Sequence, residues 1–145
     1  MLDDAYFMNE ALKEAQKAFD KDEIPIGAVV VHQNKIIARS HNLTETLNDV
    51  TAHAEMQAIT SAANAMGGKY LNECTLYVTV EPCPMCAAAC YWAQLSTVVY
   101  GTNDDKMGAE TKKLNLFHPK TTIRSGILSN ESSQLMKLFF KNKRK

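Results

Sequence analysis

The sequence predicts an α/β fold, with one central sheet sandwiched between helices. Helical and extended patterns alternate along the chain in a β-β-α-β-α-β order flanked by a helix at either end, which is how a single sheet covered on both faces is written. The extended segments are short, apolar and β-branched, as buried strands are. A length of 145 residues suits one domain and is too short for two of ordinary size. One domain over residues 1–145 is therefore expected, able to bury roughly two-thirds of the unfolded chain's surface without a covalent staple.

Asp3 or Asp4 can cap a first helix that runs to about Phe19, with Ala5, Met8, Leu12, Ala15 and Phe19 along one stripe. Ile26 to Val31 is a continuous apolar run and reads as a buried strand. Gln33-Asn34 turns it into a second strand over about Lys35 to Ser40. Thr51 to Ala65 is alanine-rich and helical, and Gly67-Gly68 stops it. A strand follows over Thr75 to Val80, then a helix over Pro84 to Ala93 and a strand over Thr97 to Tyr100. The last helix begins near Asn130, with Leu135, Leu138 and Phe139 apolar, and carries a basic end over about 130–145. Strand order and direction do not follow from this pattern.

Hydrophobic residues make up 46% and charged residues 22%, close to the averages for globular proteins, which excludes a disordered, collagen-like or disulfide-knot chain. The formal net charge is zero, but its distribution is uneven. Residues 1–105 hold 14 acids against 6 bases, and residues 106–145 hold 2 acids against 10 bases. The last nine residues alone carry five bases. Such a patch either reads a polyanion or is a solvated tail, and charge alone favours the tail. No apolar run approaches the roughly 20 residues that span a membrane. The N-terminus is acidic and unlike a cleaved export signal. A cytoplasmic protein without a membrane partner is expected, and clustered cysteines in that reducing setting suit metal ligands or nucleophiles better than disulfides.

The chemistry concentrates in two short motifs. His53 sits in Thr51-Ala52-His53-Ala54-Glu55, and about thirty residues later Cys83 and Cys86 sit in Glu81-Pro82-Cys83-Pro84-Met85-Cys86. Two thiolates and an imidazole match the softness zinc prefers, and the two-residue gap lets both sulfurs converge on one ion. Each cluster enters a helix, so two helix N-termini would face the site and stabilise thiolates. Three protein ligands leave zinc a fourth position for water, whose pKa falls to about 7. Glu55, in the first helical turn, is placed to move protons there. The alternatives are a packed histidine beside a redox C-x-x-C pair, or a closed structural site with Cys90, one turn after Cys86, as fourth ligand. Cys74 begins an apolar strand and reads as core.

The pattern H-x-E…P-C-x-x-C is the signature of zinc-dependent deaminases of nucleobases. From about Met8 onward the chain resembles the cytidine and deoxycytidylate deaminase superfamily. Within it, Thr51-Ala52-His53-Ala54-Glu55, Leu76-Tyr77-Val78-Thr79-Val80-Glu81-Pro82-Cys83 and Ile24-Pro25-Ile26-Gly27-Ala28-Val29 are similar to bacterial tRNA-specific adenosine deaminases, which convert wobble adenosine to inosine. The resemblance implies a three-layer α-β-α sandwich around one mixed sheet of about five strands, with Gly126-Ile127-Leu128 in the last strand. It implies one zinc ion per subunit on His53, Cys83 and Cys86, Glu55 as catalytic proton carrier, and Asn42 hydrogen-bonding the target base. It also implies a homodimer acting on a tRNA anticodon stem-loop.

Small groups around Ala54, including its backbone N–H, leave room for a flat ring, and Ile26 or Val29 is a candidate apolar floor. Lys106, Lys112, Lys113, Lys120 and Arg124 precede the basic helix, where Phe139-Phe140 interleave with Lys137, Lys141 and Lys143. Lys106, His118, Phe140 and Lys141 are therefore candidate RNA contacts, with one of the two phenylalanines expected in the core and the other near RNA. Two other functions stay open. Tyr91-Trp92-Ala93 is similar to guanine deaminases, a reading in which the chain deaminates a free base and Trp92 faces a purine, unless Trp92 packs at an interface. A non-catalytic, zinc-stabilised RNA-binding module is the other.

Overall fold

The computed structural model describes residues 1–144; Lys145, the last base of the tail, lies outside them. Five strands, β1 (Gly27–His32), β2 (Lys35–His41), β3 (Cys74–Val80), β4 (Thr97–Thr102) and β5 (Thr122–Ser125), form one sheet in the order β2-β1-β3-β4-β5. β1 is antiparallel to β2 and β3, whereas β4 runs parallel to β3 and β5 parallel to β4. The sheet is thus mixed. Gln33 and Asn34 both adopt positive φ, 50° and 63°, which is the backbone a tight hairpin between β1 and β2 requires.

The period of two along each strand sorts the helices into layers. Ala28, Val30, Leu76, Val78, Val98 and Tyr100 point to one face, where α2 (Ala54–Met66) and α3 (Pro84–Ala93) cover them with alanines and cysteines. Val29, Val31, Tyr77 and Val99 point to the other, against Phe7, Met8 and Ala11 of α1 (Asp4–Asp20). α4 (Ser129–Lys143) packs on that same side, over β4 and β3. Cys74 and Cys90 are fully buried in the α2/α3 core.

Three local expectations are corrected. The buried stripe of α1 is Phe7, Met8, Ala11, Ala15 and Ala18, whereas Ala5 is exposed and Leu12 and Phe19 are only half-buried. The reason is close approach: a Cβ on Gly27 would lie 2.1 Å from the Ala11 carbonyl oxygen, so α1 rests its small-residue face on β1. That rotation buries Glu10 and Glu14 as well, which Arg39 and His41 of β2 meet at 3.0 Å each. α2 starts at Ala54 and not Thr51, because His53 is extended (φ −70°, ψ 154°) and serves as the N-cap. The last strand is Thr122–Ser125; Gly126 (φ 84°) and Leu128 (φ 52°) are left-handed and turn the chain into α4, so residues 126–128 cannot extend the ladder.

Asp3 caps α1 by accepting from the Tyr6 backbone N–H at 2.9 Å, which frees Asp4 for a long-range role. Asp4 accepts from Arg124 Nε at 2.9 Å, from the Arg124 guanidinium again at 3.0 Å, and from the Tyr77 hydroxyl at 2.6 Å. The Arg124 hydrogen bonds hold its carboxyl below the ordinary 3.8, against the opposing effect of burial, and the Tyr77 bond assists. A depressed folded-state pKa contributes stability above the unfolded value and loses it as pH falls through the folded one. Asp4→Asn should therefore lower stability by about 1 kcal/mol at pH 7. The gap to wild type should close as the pH drops below 3.8, read by urea unfolding across pH.

Candidate active site

α2 and α3 begin at the same place. His53 is the N-cap of α2 and Cys83 the N-cap of α3, with Pro84 at its first position, where a missing N–H costs nothing. Neither side chain makes a capping hydrogen bond, so imidazole and thiol stay available. The ends are held from the sheet. The Ser40 hydroxyl donates to the Ala54 carbonyl at 2.6 Å, and the Gln57 amide donates to the carbonyls of His41 and Ala52.

His53 Nδ1 lies 3.7 Å from Cys83 Sγ and 3.5 Å from Cys86 Sγ. Zinc bonds of about 2.3 Å to sulfur and 2.0–2.1 Å to nitrogen at tetrahedral angles need donors about 3.5–3.8 Å apart, so the trio fits the ion. These three residues form the one metal-capable cluster among the described residues, and Cys90 is not part of it. Hydrogen bonding from the Cys86 thiol brings the Cys83 thiol down to about 4, with His53 assisting against burial. Its partner moves the other way: Cys86 is pushed up because its thiol donates to Cys83 and so keeps its proton, with burial adding to the effect. The hydrogen bond to Cys83 raises His53.

Glu55 is 3% exposed, and burial pushes its carboxyl up to about 7, with the nearby Cys83 charge adding to the effect. His53, Ala54, Glu55 and Cys83 open into a cavity of about 810 Å³, whose wall also includes Ile26, Asn42, Lys106 and Phe140. Asn42 is buried, and its side-chain oxygen takes only a long 3.4 Å bond from the Thr44 N–H. Of the two candidates for an apolar surface under the base, Ile26 lines the cavity, whereas Val29 is buried on the α1 face. α4 contributes Ser133, Met136, Lys137, Phe140 and Lys143, the spacing of one helical face, and Arg144 follows as its C-cap. Its flank, about 100° round the helix, buries Phe139 and Ser132, so one phenylalanine is core and the other lines the groove.

Other expected contacts lie elsewhere. His118 stacks on Tyr91 at 5.2 Å, outside the cavity wall, because the segment after Phe117 folds against α3. Lys141, one residue past Phe140 and about 100° further round the helix, is exposed and does not line the groove. Arg124 is spent on Asp4. Trp92 is 75% exposed on α3 and does not line the cavity. Motif reading missed two buried carboxylates that shape the rim. Glu23 accepts from the backbone N–H groups of Glu45 and Thr46 and from the Thr46 hydroxyl. Glu81 accepts four bonds from Asn103, Asp104 and Thr111. Burial raises both, and those donors outweigh it, so both carboxyls sit below their usual range. A charged residue ending the apolar strand β3 was the visible signal for Glu81.

A family model described as MafB19-like deaminase matches residues 2–144. The tRNA-specific adenosine deaminase of Bacillus subtilis is 45% identical over 150 residues, covering 100% of this chain and 93% of that protein. The chain is a member of the tRNA-specific adenosine deaminase family. A chloroplastic tRNA(adenine(34)) deaminase of Arabidopsis thaliana is also 45% identical, over 94% of this chain, which spans 12% of that protein's length. A solved structure from a study of A-to-I editing by tRNA:A34 deaminases superposes with a TM-score of 0.85 at 43% identity, covering 90% of this chain and 98% of that one. Two members of the His/Cys/Cys cluster, His53 and Cys83, line the groove beside Glu55.

Cobalt(II) is a spectroscopic probe for such a donor set. Titrated into metal-free protein it should give the intense thiolate charge-transfer bands of a tetrahedral site at one equivalent. Cys86→Ala should weaken them and lower affinity, and unchanged spectra would remove the cysteines from the site.

Proposed function

We infer that the chain deaminates adenosine to inosine at the wobble position of a tRNA anticodon, by zinc-dependent hydrolysis. The observation that carries this is a cavity joining a buried carboxylate and a His/Cys/Cys trio to a basic helix face, in a chain of this family. His53, Cys83 and Cys86 would hold zinc, which supplies the Lewis acidity that brings the pKa of water down to about 7. Everything else is done by the chain. Asn42 hydrogen-bonds the base edge, the Ala54 backbone N–H and Ile26 leave a flat slot, and the closed floor keeps bulk water out. Glu55 takes a proton from the water that adds to the amine-bearing carbon. It delivers that proton to a ring nitrogen, then takes the proton of the added hydroxyl and passes it to the departing amine, which leaves as ammonia as the carbonyl forms. A carboxyl held near 7 gains and loses protons at similar cost, as this exchange needs.

A stacked nucleotide cannot reach this floor, so it must flip out at a cost of a few kcal/mol, which phosphate and stacking contacts offset. Lys106, Lys137, Lys143 and Arg144 line the route in, and half-exposed Phe140 offers a stacking face. Tyr91 and Trp92 of α3 are exposed outside the groove, with the His118 ring packed on Tyr91, which supports a homodimer formed there. No helix among the described residues is long and apolar enough to cross a membrane. A cytoplasmic tRNA-processing role is the reading proposed.

Wild-type protein incubated with an anticodon stem-loop should release ammonia and form inosine, without acting on free guanine or cytosine. Activity on free guanine alone would replace the tRNA reading with the nucleobase one. Glu55→Ala should abolish turnover while metal content stays full; residual activity near wild type would end the proton-carrier role. Lys137→Ala should weaken stem-loop binding and flatten the slope of log K against log salt by about 1. The same substitution should leave metal content unchanged.

A further inference from the structure

The segment from Asn103 to Met107 forms one wall of the cavity, yet it belongs to no helix or strand. A loop that shapes a binding groove needs something to set its position. Glu81 ends β3 and is 3% exposed. Its carboxylate accepts from the Asp104 backbone N–H at 3.0 Å and Asn103 Nδ2 at 3.1 Å. From further along the segment it accepts from the Thr111 backbone N–H at 2.7 Å and the Thr111 hydroxyl at 2.5 Å. One side chain thus ties the start of the wall, and the chain just beyond its end, to the strand that leads into Cys83. The fit is close: a Cβ on Gly108 would sit 2.2 Å from Glu81 Cδ and 2.3 Å from either carboxylate oxygen. Only glycine lets the loop backbone close over the carboxylate. Further bonds extend the network, from Asn103 to the Tyr100 hydroxyl and from that hydroxyl to Glu110.

We propose that Glu81 is a positioning residue for the tRNA reaction, clamping residues 103–111 so that Asn103 to Met107 present a fixed wall to the RNA strand beside the flipped base. The role rests on the tRNA-deaminase reading of the groove. It acts through the loop and not on the reacting atoms. The requirement is for acceptors on both oxygens: glutamine places N–H against N–H at one end of the clamp, and cannot substitute.

The test compares Glu81→Gln, Thr111→Val and Gly108→Ala as zinc-loaded full-length proteins. Each is assayed for metal content, thermal unfolding, amide exchange, and KM and kcat on an anticodon stem-loop. Expected is a rise in KM of ~10-fold for Glu81→Gln and Gly108→Ala, with kcat falling much less and metal retained. Thr111→Val, which removes one bond and keeps the fold, should give a smaller rise. Amide exchange should quicken at Asp104 and Thr111 in all three. Because Glu81→Gln and Gly108→Ala break the same contact from opposite sides, the double variant should be far from additive. Wild-type KM and exchange in folded, metal-loaded Thr111→Val and Gly108→Ala would overturn the proposal. So would kcat falling with KM unchanged, which would place Glu81 at the chemistry. A wild type inactive on the stem-loop would fail the tRNA reading and the clamp's role in it. Exchange at Asp104 and Thr111 would still report separately whether the clamp itself exists.

Discussion

The meeting of two helix N-termini is the constraint on which the rest of the molecule depends. His53 and Cys83 come from segments thirty residues apart, and each is an extended cap residue with its side chain left unspent. Sheet order makes the meeting possible. β1 lies between β2 and β3, so the chain leaving β2 toward α2 and the chain leaving β3 toward α3 emerge side by side at one end of the sheet. Small residues then let the helices come down onto it. Ala54, Ala58 and Ala62 of α2 and Ala87, Cys90 and Ala93 of α3 bury without bulk, which brings backbone dipoles close to the cluster. A larger side chain along either row would lift a helix and separate the donors.

Buried carboxylates show how the same framework serves two purposes. Glu55 has few donors around it, and burial dominates, raising it to about 7. Glu23 and Glu81 are equally closed to solvent, yet each is surrounded by backbone and hydroxyl donors and stays below the usual range. Hydrogen-bond supply, together with the deeper enclosure of Glu55, makes the difference. A carboxylate with saturated acceptors fixes a loop; one left short of donors is ready to exchange protons. Glu23 fixes the 44–46 side of the groove and Glu81 the 103–111 side, with Glu55 between them on the floor.

Local pattern made most of the strands and the donor trio legible, because spacing in sequence sets them directly. Cys83 and Cys86 are a fixed distance apart on any helix start, and the period of two in Val29-Val30-Val31 survives folding. The division of Phe139 from Phe140 followed from adjacent positions on a helix pointing about 100° apart. What failed depended on contacts between distant segments. The α1 stripe was rotated by the close approach at Gly27, a contact with β1 that no helical periodicity encodes. His118 went to Tyr91 and Arg124 to Asp4, two partners chosen by tertiary packing. The clamps at Glu23 and Glu81 were invisible as motifs because their donors are mostly backbone N–H groups, which every residue but proline carries.

The uneven charge of the chain gains meaning from where its bases end up. Of the ten in the last forty residues, Arg124 is committed to holding α1 to the sheet, and Lys112, Lys113 and Lys120 lie away from the cavity. Those that line it are Lys106, Lys137, Lys143 and Arg144. Lys143 shows how such a base can be both ordered and available. It pairs with Asp22 and lies 5.6 Å above the Phe139 ring, so its position at the rim is set before any RNA arrives. Asp22 is 72% exposed, and open pairs of that kind are worth only about 0–1 kcal/mol. A phosphate entering the groove can take the lysine over at little cost, while the aromatic contact keeps its stem in place. Lys143 is therefore held at the rim by a weak partner, the kind of pairing that a polyanion displaces.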